Sequence, residues 1–505
     1  MATINIARNK DKDLDIVMYL NKLNRHGLIA GATGTGKTIT LKVLAEQLSN
    51  NGIPVFMADI KGDLTSISQP GVLDDNINSR LKEYGFKNYQ TASFPCHLWD
   101  VFGVNGTAIR STVSEMGPML LSRMMGLNEV QEGVLNIVFK IADEKQYLLL
   151  DLKDLQAMLA DVGNHAQEYT TLYGNITKAS IGTIQRELLV LENQGGANFF
   201  GEPAIDLNDF IQIDSSGKGI VNVLYAKELF NSPKLYATFL IWLVSELFEN
   251  MPEVGDLDKP KLVFFFDEAH LLFNDASDEF LEQIEKLVRL IRSKGIGIFF
   301  ITQNPIDLPD NVLGQLGNKI QHALRAFTPK DQKAVKAMAE TFRVNDGIDV
   351  EKDVIELKTG EALISILNED GEPTPVERAM VRVPQSLITQ VNLAILPSLK
   401  MMNPFDVKYT QVVDRESAYE ILQNKVIGEQ QLKQQEEQAK IDAKAEKELA
   451  KQQAKELKEA EKAKKATVSY QMGKMLKQTA MRKVTNTVFK NSGSIVRGLL
   501  KNLIK

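Results

Sequence analysis

The run Gly31-Ala32-Thr33-Gly34-Thr35-Gly36-Lys37-Thr38 fits GxxxxGK[ST]. It constrains the fold more than any other feature because it demands a strand before it and a helix after it. Both are supplied. The apolar run Gly27-Leu28-Ile29-Ala30 enters the loop as a short strand, and 39–48 leaves it as a helix with Leu41, Leu44, Ala45 and Leu48 on one face. Glycines let consecutive backbone N–H groups turn inward on an anion, and the helix N-terminus adds its positive dipole end. Lys37 reaches the β- and γ-phosphates of a nucleotide such as ATP, and the Thr38 hydroxyl takes a Mg²⁺ coordination position. With glycine near 7% of residues, chance places this pattern in a chain of such length roughly 2% of the time. A chance match would not also be framed by strand and helix.

At 505 residues the chain is too long for one simple core, so two or three structural units are expected. Its 44% hydrophobic and 25% charged residues are ordinary for a globular protein. A formal charge of −6 gives no overall drive toward nucleic acid or anionic membrane, so such a partner needs a local basic surface. The single cysteine, Cys96, excludes an internal disulfide and a cysteine-built metal site. The first fifteen residues lack a signal-peptide core, and no stretch approaches the ~20 apolar residues of a membrane span. A cytoplasmic protein is expected.

Residues 1–104 read as the first part of a nucleotide-binding α/β layer, with a second strand at 53–60. From 105 to 200 the pattern is helical: Ile109, Val113, Met116, Met119 and Leu120 recur at 3–4 spacing, as do Val134, Leu135, Val138 and Ile141. The methionines between 116 and 125 suit helix packing better than a cofactor box. Residues 201–411 complete the core, with strands at 219–224, 261–266, 295–302 and 319–327 and an amphipathic helix at 233–249. Strands alternating with helices predict a parallel sheet covered on both faces. The last part, 412–505, is a charged helical tail. Over 429–466 it is nearly all Glu, Gln, Lys and Ala, and Ile441, Leu449 and Leu457 are too sparse for a coiled-coil seam. A solvated single helix held by i,i+4 Glu–Lys pairs is expected instead. Residues 467–505 carry eight Lys or Arg and no acidic residue. They end in a basic amphipathic helix suited to a protein groove, an anionic lipid surface, nucleic-acid phosphates, or packing on the chain's own core.

The second strong signal is Lys261-Leu262-Val263-Phe264-Phe265-Phe266-Asp267-Glu268. A buried strand here delivers two carboxylates at its C-terminal end, the edge where such sheets bind ligands. Asp267 would hold Mg²⁺ through its water shell, and Glu268 would polarise the attacking water. Together with the loop this favours hydrolysis over passive binding. A later strand ends at Thr302-Gln303-Asn304-Pro305, where Gln303 can sense the γ-phosphate or merely cap the strand.

These segments, with Asn24-Arg25-His26 ahead of the loop strand, Asp59-Ile60-Lys61-Gly62-Asp63, Ala269-His270 and Gly201-Glu202-Pro203, resemble the HerA/FtsK superfamily, in particular a bacterial HerA-like branch. The resemblance spans roughly residues 15–400. It implies an α/β fold: a RecA-like, additional-strand P-loop NTPase sheet with helices on both faces, a helical insertion and a long charged C-terminal helix. It implies an ATPase using ATP and Mg²⁺, in which Gly31 to Thr38 bind nucleotide and Thr38 and Asp267 hold the metal. Lys37, Glu268 and Gln303 act in catalysis. Superfamily members form hexameric rings in which one subunit lends an arginine to its neighbour. Arg292 aligns best with that arginine, Arg325 is the other candidate, and Arg289 and Arg292, three apart on one helix, are equally readable as surface ion-pair residues. DNA-translocating members carry an N-terminal β-barrel. With the loop strand at residue 27, a chain without that barrel is expected, so neither the ring nor a partner nuclease carries over directly. Three functions follow: a helicase- or translocase-like motor on DNA, an ATPase working on a protein assembly or membrane surface, and a non-hydrolysing nucleotide switch.

Overall fold

The computed structural model describes residues 1–255, 257–274, 278–325 and 328–465. Twelve strands form one sheet. They are β1 Thr3–Asn9, β2 Leu14–Tyr19, β3 Gly27–Ala30, β4 Val55–Asp59, β5 Cys96–Asp100, β6 Thr107–Ala108, β7 Val221–Tyr225, β8 Leu262–Phe266, β9 Ile296–Thr302, β10 Asn318–Gln321, β11 Glu361–Ser365 and β12 Glu377–Val381. Across the sheet they run β2-β1-β12-β11-β10-β3-β9-β8-β4-β7-β5-β6. From β10 to β6 every pairing is parallel. The flank β10-β11-β12-β1-β2 is antiparallel. The expected parallel sheet is thus the central part of a mixed one.

Period-2 alternation in the strands divides the core between the two faces. Leu28, Ala30, Phe56, Ala58, Phe264, Phe266, Ile298 and Phe300 face one side, where helices of the 105–200 region and the helix Pro233–Asn250 cover them. Ile29, Val55, Met57, Val263, Phe265, Phe299 and Ile301 face the other, under the helix Lys37–Asn50. β4, β8 and β9 are buried along their whole length, as strands covered on both faces must be. Burial of each phenylalanine contributes about 1.5–3 kcal/mol.

Between β6 and β7 the chain is mainly helical. Thr112, Asn128 and Asp151 each begin a helix with a reciprocal capping box. Met116, Met124 and Met125 are buried in the core, the packing role expected of them. The first helix is Val113–Met125, not a run from Ile109, because the Thr112 cap fixes its start, and Gly117 at φ 71° breaks it. The strand expected at 319–327 is also shorter. β10 stops at Gln321, where the chain turns to place Leu324 in a small core with Val335, Met338, Phe342 and Val354.

The chain divides into two compact units, Met1–Leu422 and Gln423–Lys505. The helix Ala418–Lys465 is continuous, and its residues from 423 to 460 are exposed, as expected of a solvated helix. The basic segment 467–505 lies outside the described residues.

Candidate phosphate-binding site

Sheet order builds this site. β9 lies between β3 and β8, so the strand bearing Gln303 is the additional strand between the loop and the acidic pair. The register Ala30↔Thr302 places Gln303 level with the start of the loop, and all four strands β3, β9, β8 and β4 run the same way. Their C-terminal tips therefore meet at one edge. Thr33 Oγ1 lies 3.5 Å from Gln303 Oε1. Gln303 Nε2 lies 3.4 Å from Glu268 Oε2, and Lys61 Nζ, from the tip of β4, lies 3.2 Å from Glu268 Oε1.

The loop has the backbone its glycines predict, with Gly31, Gly34 and Gly36 at φ 150°, 78° and 125°. At Gly31 a side chain is also excluded by space, because a Cβ there would stand 2.6 Å from the Cβ of His322. His322 follows β10 and is fully buried. Its Nδ1 faces the Glu361 carbonyl at 2.9 Å and its Nε2 faces Thr40 Oγ1 at 2.7 Å. Nδ1 must therefore carry the proton and Nε2 accept from the threonine, and burial holds the ring neutral, its pKa lowered to about 4. His322 thus ties the loop helix to β11. Next to Glu361, the Gly360 N–H donates to the Thr35 carbonyl.

Lys37 turns back over the loop, donating to the Gly31 carbonyl at 2.5 Å and the Ala32 carbonyl at 3.1 Å. Burial lowers its pKa, against the pull of Glu268 and Asp267. Glu268 is 6% exposed and sits at φ 49°, in the left-handed region. Its N–H donates to Asp267 Oδ1 at 2.9 Å, and Tyr236 Oη donates to the Asp267 carbonyl at 3.0 Å. Burial, and then the neighbouring Glu268 charge, raise the Asp267 pKa to about 7.

Lys37, Asp267, Glu268 and Gln303 thus share one edge, with Thr38 in the first turn of the helix Lys37–Asn50. Arg292 is not among them. It is exposed, in the short turn Arg292–Lys294 ahead of β9, at the end of a seven-residue strand opposite Gln303 and so roughly 20 Å away. Arg289 closes the helix Asp278–Ile291, so the two arginines occupy successive turns and not one regular helix. Arg325 lies beyond β10, not at its end, and is exposed. Sequence alone gives no role to Lys61, His322 or His270. His270 Nδ1 lies 3.4 Å from Glu268 Oε2. The available signal for Lys61 was its place just past a buried strand, but its neighbour Glu268 follows only from the pairing of β4 with β8.

The donor set suits a nucleotide with a hard cation. A hydroxyl and carboxylates are oxygen ligands of the kind Mg²⁺ takes, few in number because phosphates and water supply the rest. No group of three or more His, Cys, Asp or Glu that could hold a metal ion occurs among the described residues. Asp63, Asp267 and Glu268 share this edge with Lys37 and Lys61, so once Asp267 ionises the carboxylates leave a negative excess for a cation to balance.

The raised Asp267 pKa has a measurable consequence. An unfolded Asp ionises near pH 3.9, whereas Asp267 in the folded chain holds its proton to about pH 7. Stability therefore falls as pH rises from about 4 to 7 and stays lowered above. Without Mg²⁺ or nucleotide, Asp267→Asn is expected to raise Tm by about 2–4 °C at pH 8 and to leave it unchanged at pH 3.5. An equal gain at both values, or none at pH 8, would contradict the assignment.

A family profile described as helicase HerA-like C-terminal matches residues 5–505. The chain is 24% identical over 373 residues to the DNA double-strand break repair helicase HerA of Sulfurisphaera tokodaii, covering 72% of this chain and 66% of that protein. The protein of the same name from Sulfolobus acidocaldarius is 20% identical over 368 residues, with coverage of 72% and 66%. The chain thus spans just under two thirds of the length of these relatives. Among solved structures, plasmid coupling protein TrwB in complex with the non-hydrolysable GTP analogue GDPNP aligns with TM-score 0.49 at 12% identity, covering 74% of this chain and 88% of that one. VirB4 of Thermoanaerobacter pseudethanolicus aligns with TM-score 0.47 at 14% identity, covering 76% and 97%.

Proposed function

Because the chain belongs to the helicase HerA-like C-terminal family, we propose that it is a Mg²⁺-dependent ATPase motor of the cytoplasm that acts on DNA. The observation that carries this reading is the meeting of Thr33, Gln303, Glu268 and Lys61 from four adjacent parallel strands beside the phosphate loop. Gly31 to Thr38 cradle the triphosphate, and Lys37 neutralises its outer phosphates. Thr38 and Asp267 would hold Mg²⁺, which would supply neutralisation of the phosphate charge. Glu268 accepts a proton from water as its oxygen bonds to the γ-phosphorus and ADP leaves, and Gln303 orients that water. Arg292, remote from its own site, serves a neighbour's in a ring, where a permanent charge and planar donor fork suit a γ-phosphate. Residues 1–104 and 201–411 form the ATPase core, 105–200 an insertion in it, and 412–505 the tail.

The DNA reading takes its support from relatives whose names describe DNA double-strand break repair helicases. A second reading, work on a protein assembly or an anionic membrane surface, is favoured by the charge distribution. Met1–Leu422 holds 40 Lys and Arg against 56 Asp and Glu, a formal −16, while Gln423–Lys505 holds 19 against 9, a formal +10. No helix among the described residues is long and apolar enough to cross a membrane, so a membrane partner would be met at its surface. One experiment separates the two. Phosphate release by the full chain is expected to rise with duplex or single-stranded DNA and to lose that stimulation at high salt, as phosphate contacts release counterions. Turnover indifferent to DNA, with binding to anionic vesicles lost on deleting 467–505, would replace the first reading by the second.

A further inference from the structure

The contacts across the sheet edge follow strand order: the β3 loop gives Thr33, β9 gives Gln303, β8 gives Glu268 and β4 gives Lys61. Three of these strands bear residues already given a role in hydrolysis, and the fourth ends the series with a cation on the base. Resting on the ATPase reading above, we infer that Lys61 is the positioning residue that sets the rotation of the Glu268 carboxylate, with Oε2 turned to Gln303.

Glu268 needs such a partner. It follows Asp267 directly, so two carboxylates share one strand end, and its backbone sits in the left-handed region at φ 49°. Carboxylates this close repel when both are ionised, and a cation on Glu268 offsets that repulsion. Gln303 Nε2 and His270 Nδ1 both approach Oε2, at 3.4 Å each. Oε1 is met by Lys61 Nζ alone among the contacts described, at 3.2 Å. The lysine thereby fixes the rotation of the carboxylate, leaving Oε2 on the Gln303 side.

Lys61 is itself held, unlike a surface lysine. The buried carboxylate of Asp59 accepts from the N–H groups of Gly62, Asp63 and Thr65 at 2.7, 3.0 and 2.8 Å, and from Thr65 Oγ1 at 2.6 Å. That set folds the chain after β4 into one tight turn with Lys61 at its head. Gln390 Nε2 donates to the Lys61 carbonyl at 2.7 Å. Gln390 closes a strap whose start is anchored on the loop helix. Buried Glu46 accepts from the N–H groups of Gln385 and Ser386 at 2.7 and 2.9 Å, and buried Lys42 donates to the Leu387 carbonyl and to Ser66 Oγ. The turn carrying Lys61 is therefore braced against the same helix whose N-terminus faces the phosphates. The Lys61 side chain is half exposed, whereas that of Glu268 is only 7% exposed. The lysine reaches in from the rim to a fixed target.

The test uses the full chain and measures steady-state ATP turnover and nucleotide affinity. Lys61→Ala is expected to lower kcat by tenfold or more, yet by less than Glu268→Gln, whose own loss is at least ~10²-fold. KM and ATP affinity should stay within about twofold, and Lys61→Arg should recover most of the lost turnover. In the Glu268→Gln background, adding Lys61→Ala should change residual turnover by less than about twofold, since its effect runs through the missing carboxylate. Losses that multiply in the double variant, or an ATP affinity that falls with Lys61→Ala, would overturn the inference in favour of an independent role or a direct phosphate contact. A wild-type chain that releases no phosphate would overturn the ATPase reading itself, a result distinguishable because it precedes any substitution.

Discussion

Glu268→Gln is expected to bind ATP normally and release phosphate at least ~10²-fold more slowly than wild type, within the range of general-base losses. The substitution keeps the side chain's size and its ability to accept from Gln303 Nε2, now 3.4 Å from Glu268 Oε2. The backbone at this position, in the left-handed region at φ 49°, is as accessible to glutamine as to glutamate. What it removes is a negative charge able to take a proton from water. Binding survives because the loop's contacts, including Lys37 on the Gly31 and Ala32 carbonyls, do not involve Glu268. Removing an anion beside an incoming triphosphate also cannot weaken attraction to it. A phosphate-release assay paired with a fluorescent-nucleotide titration checks both halves. Undiminished turnover would mean that Glu268 is not the base. Weakened binding with unchanged kcat would place it on the nucleotide instead.

How much of this site was legible in advance follows from how each part is written in the chain. β3, β8 and β9 are apolar runs buried on both faces, and the loop between β3 and its helix is a local motif, so both could be read residue by residue. Glu268 and Gln303 could be placed at the sheet edge because each follows such a run. The antiparallel flank could not. β1 and β2 are partly exposed along their length, and β11 and β12 carry Glu361, Glu377 and Arg378 within five-residue strands, so their alternation is diluted by charge. The helix Lys37–Asn50 reads as one-faced, yet Lys42 and Glu46 are buried on it. Their partners Ser66, Gln385, Ser386 and Leu387 lie far along the chain and are invisible to periodicity. Lys61 failed for the same reason. A lysine after a strand has no special look until β4 is known to lie beside β8. His322 likewise gains its place from the parallel pairing of β10 with β3, which sets it against Gly31.

Lys37→Ala should abolish measurable nucleotide binding and turnover, a loss of at least ~10²–10³-fold if scaled by the removal of one preorganised donor from a charge-stabilising site. Electrostatics makes the effect large. Asp63 and Glu268, joined by Asp267 once it ionises, already offset the site's two lysines, and a triphosphate adds several negative charges. Lys37 is the cation on the loop side, since Lys61 is engaged with Glu268. Burial already lowers the Lys37 pKa against the pull of Glu268 and Asp267, so its charge is held at a cost to the free protein. The alanine variant should therefore melt no lower than wild type while losing nucleotide, a combination that unfolding cannot produce. Calorimetric titration with ATP and a thermal melt on the same sample check it. Affinity within a few-fold of wild type would displace Lys37 from its role. The same variant tests the neighbour's arginine. Arg292→Ala, inactive alone, should regain turnover when mixed with Lys37→Ala, because each mixed interface can unite an intact loop with an intact arginine across the ring. Mixtures that stay inactive would leave Arg292 a surface residue, with its remoteness from the loop needing no functional explanation.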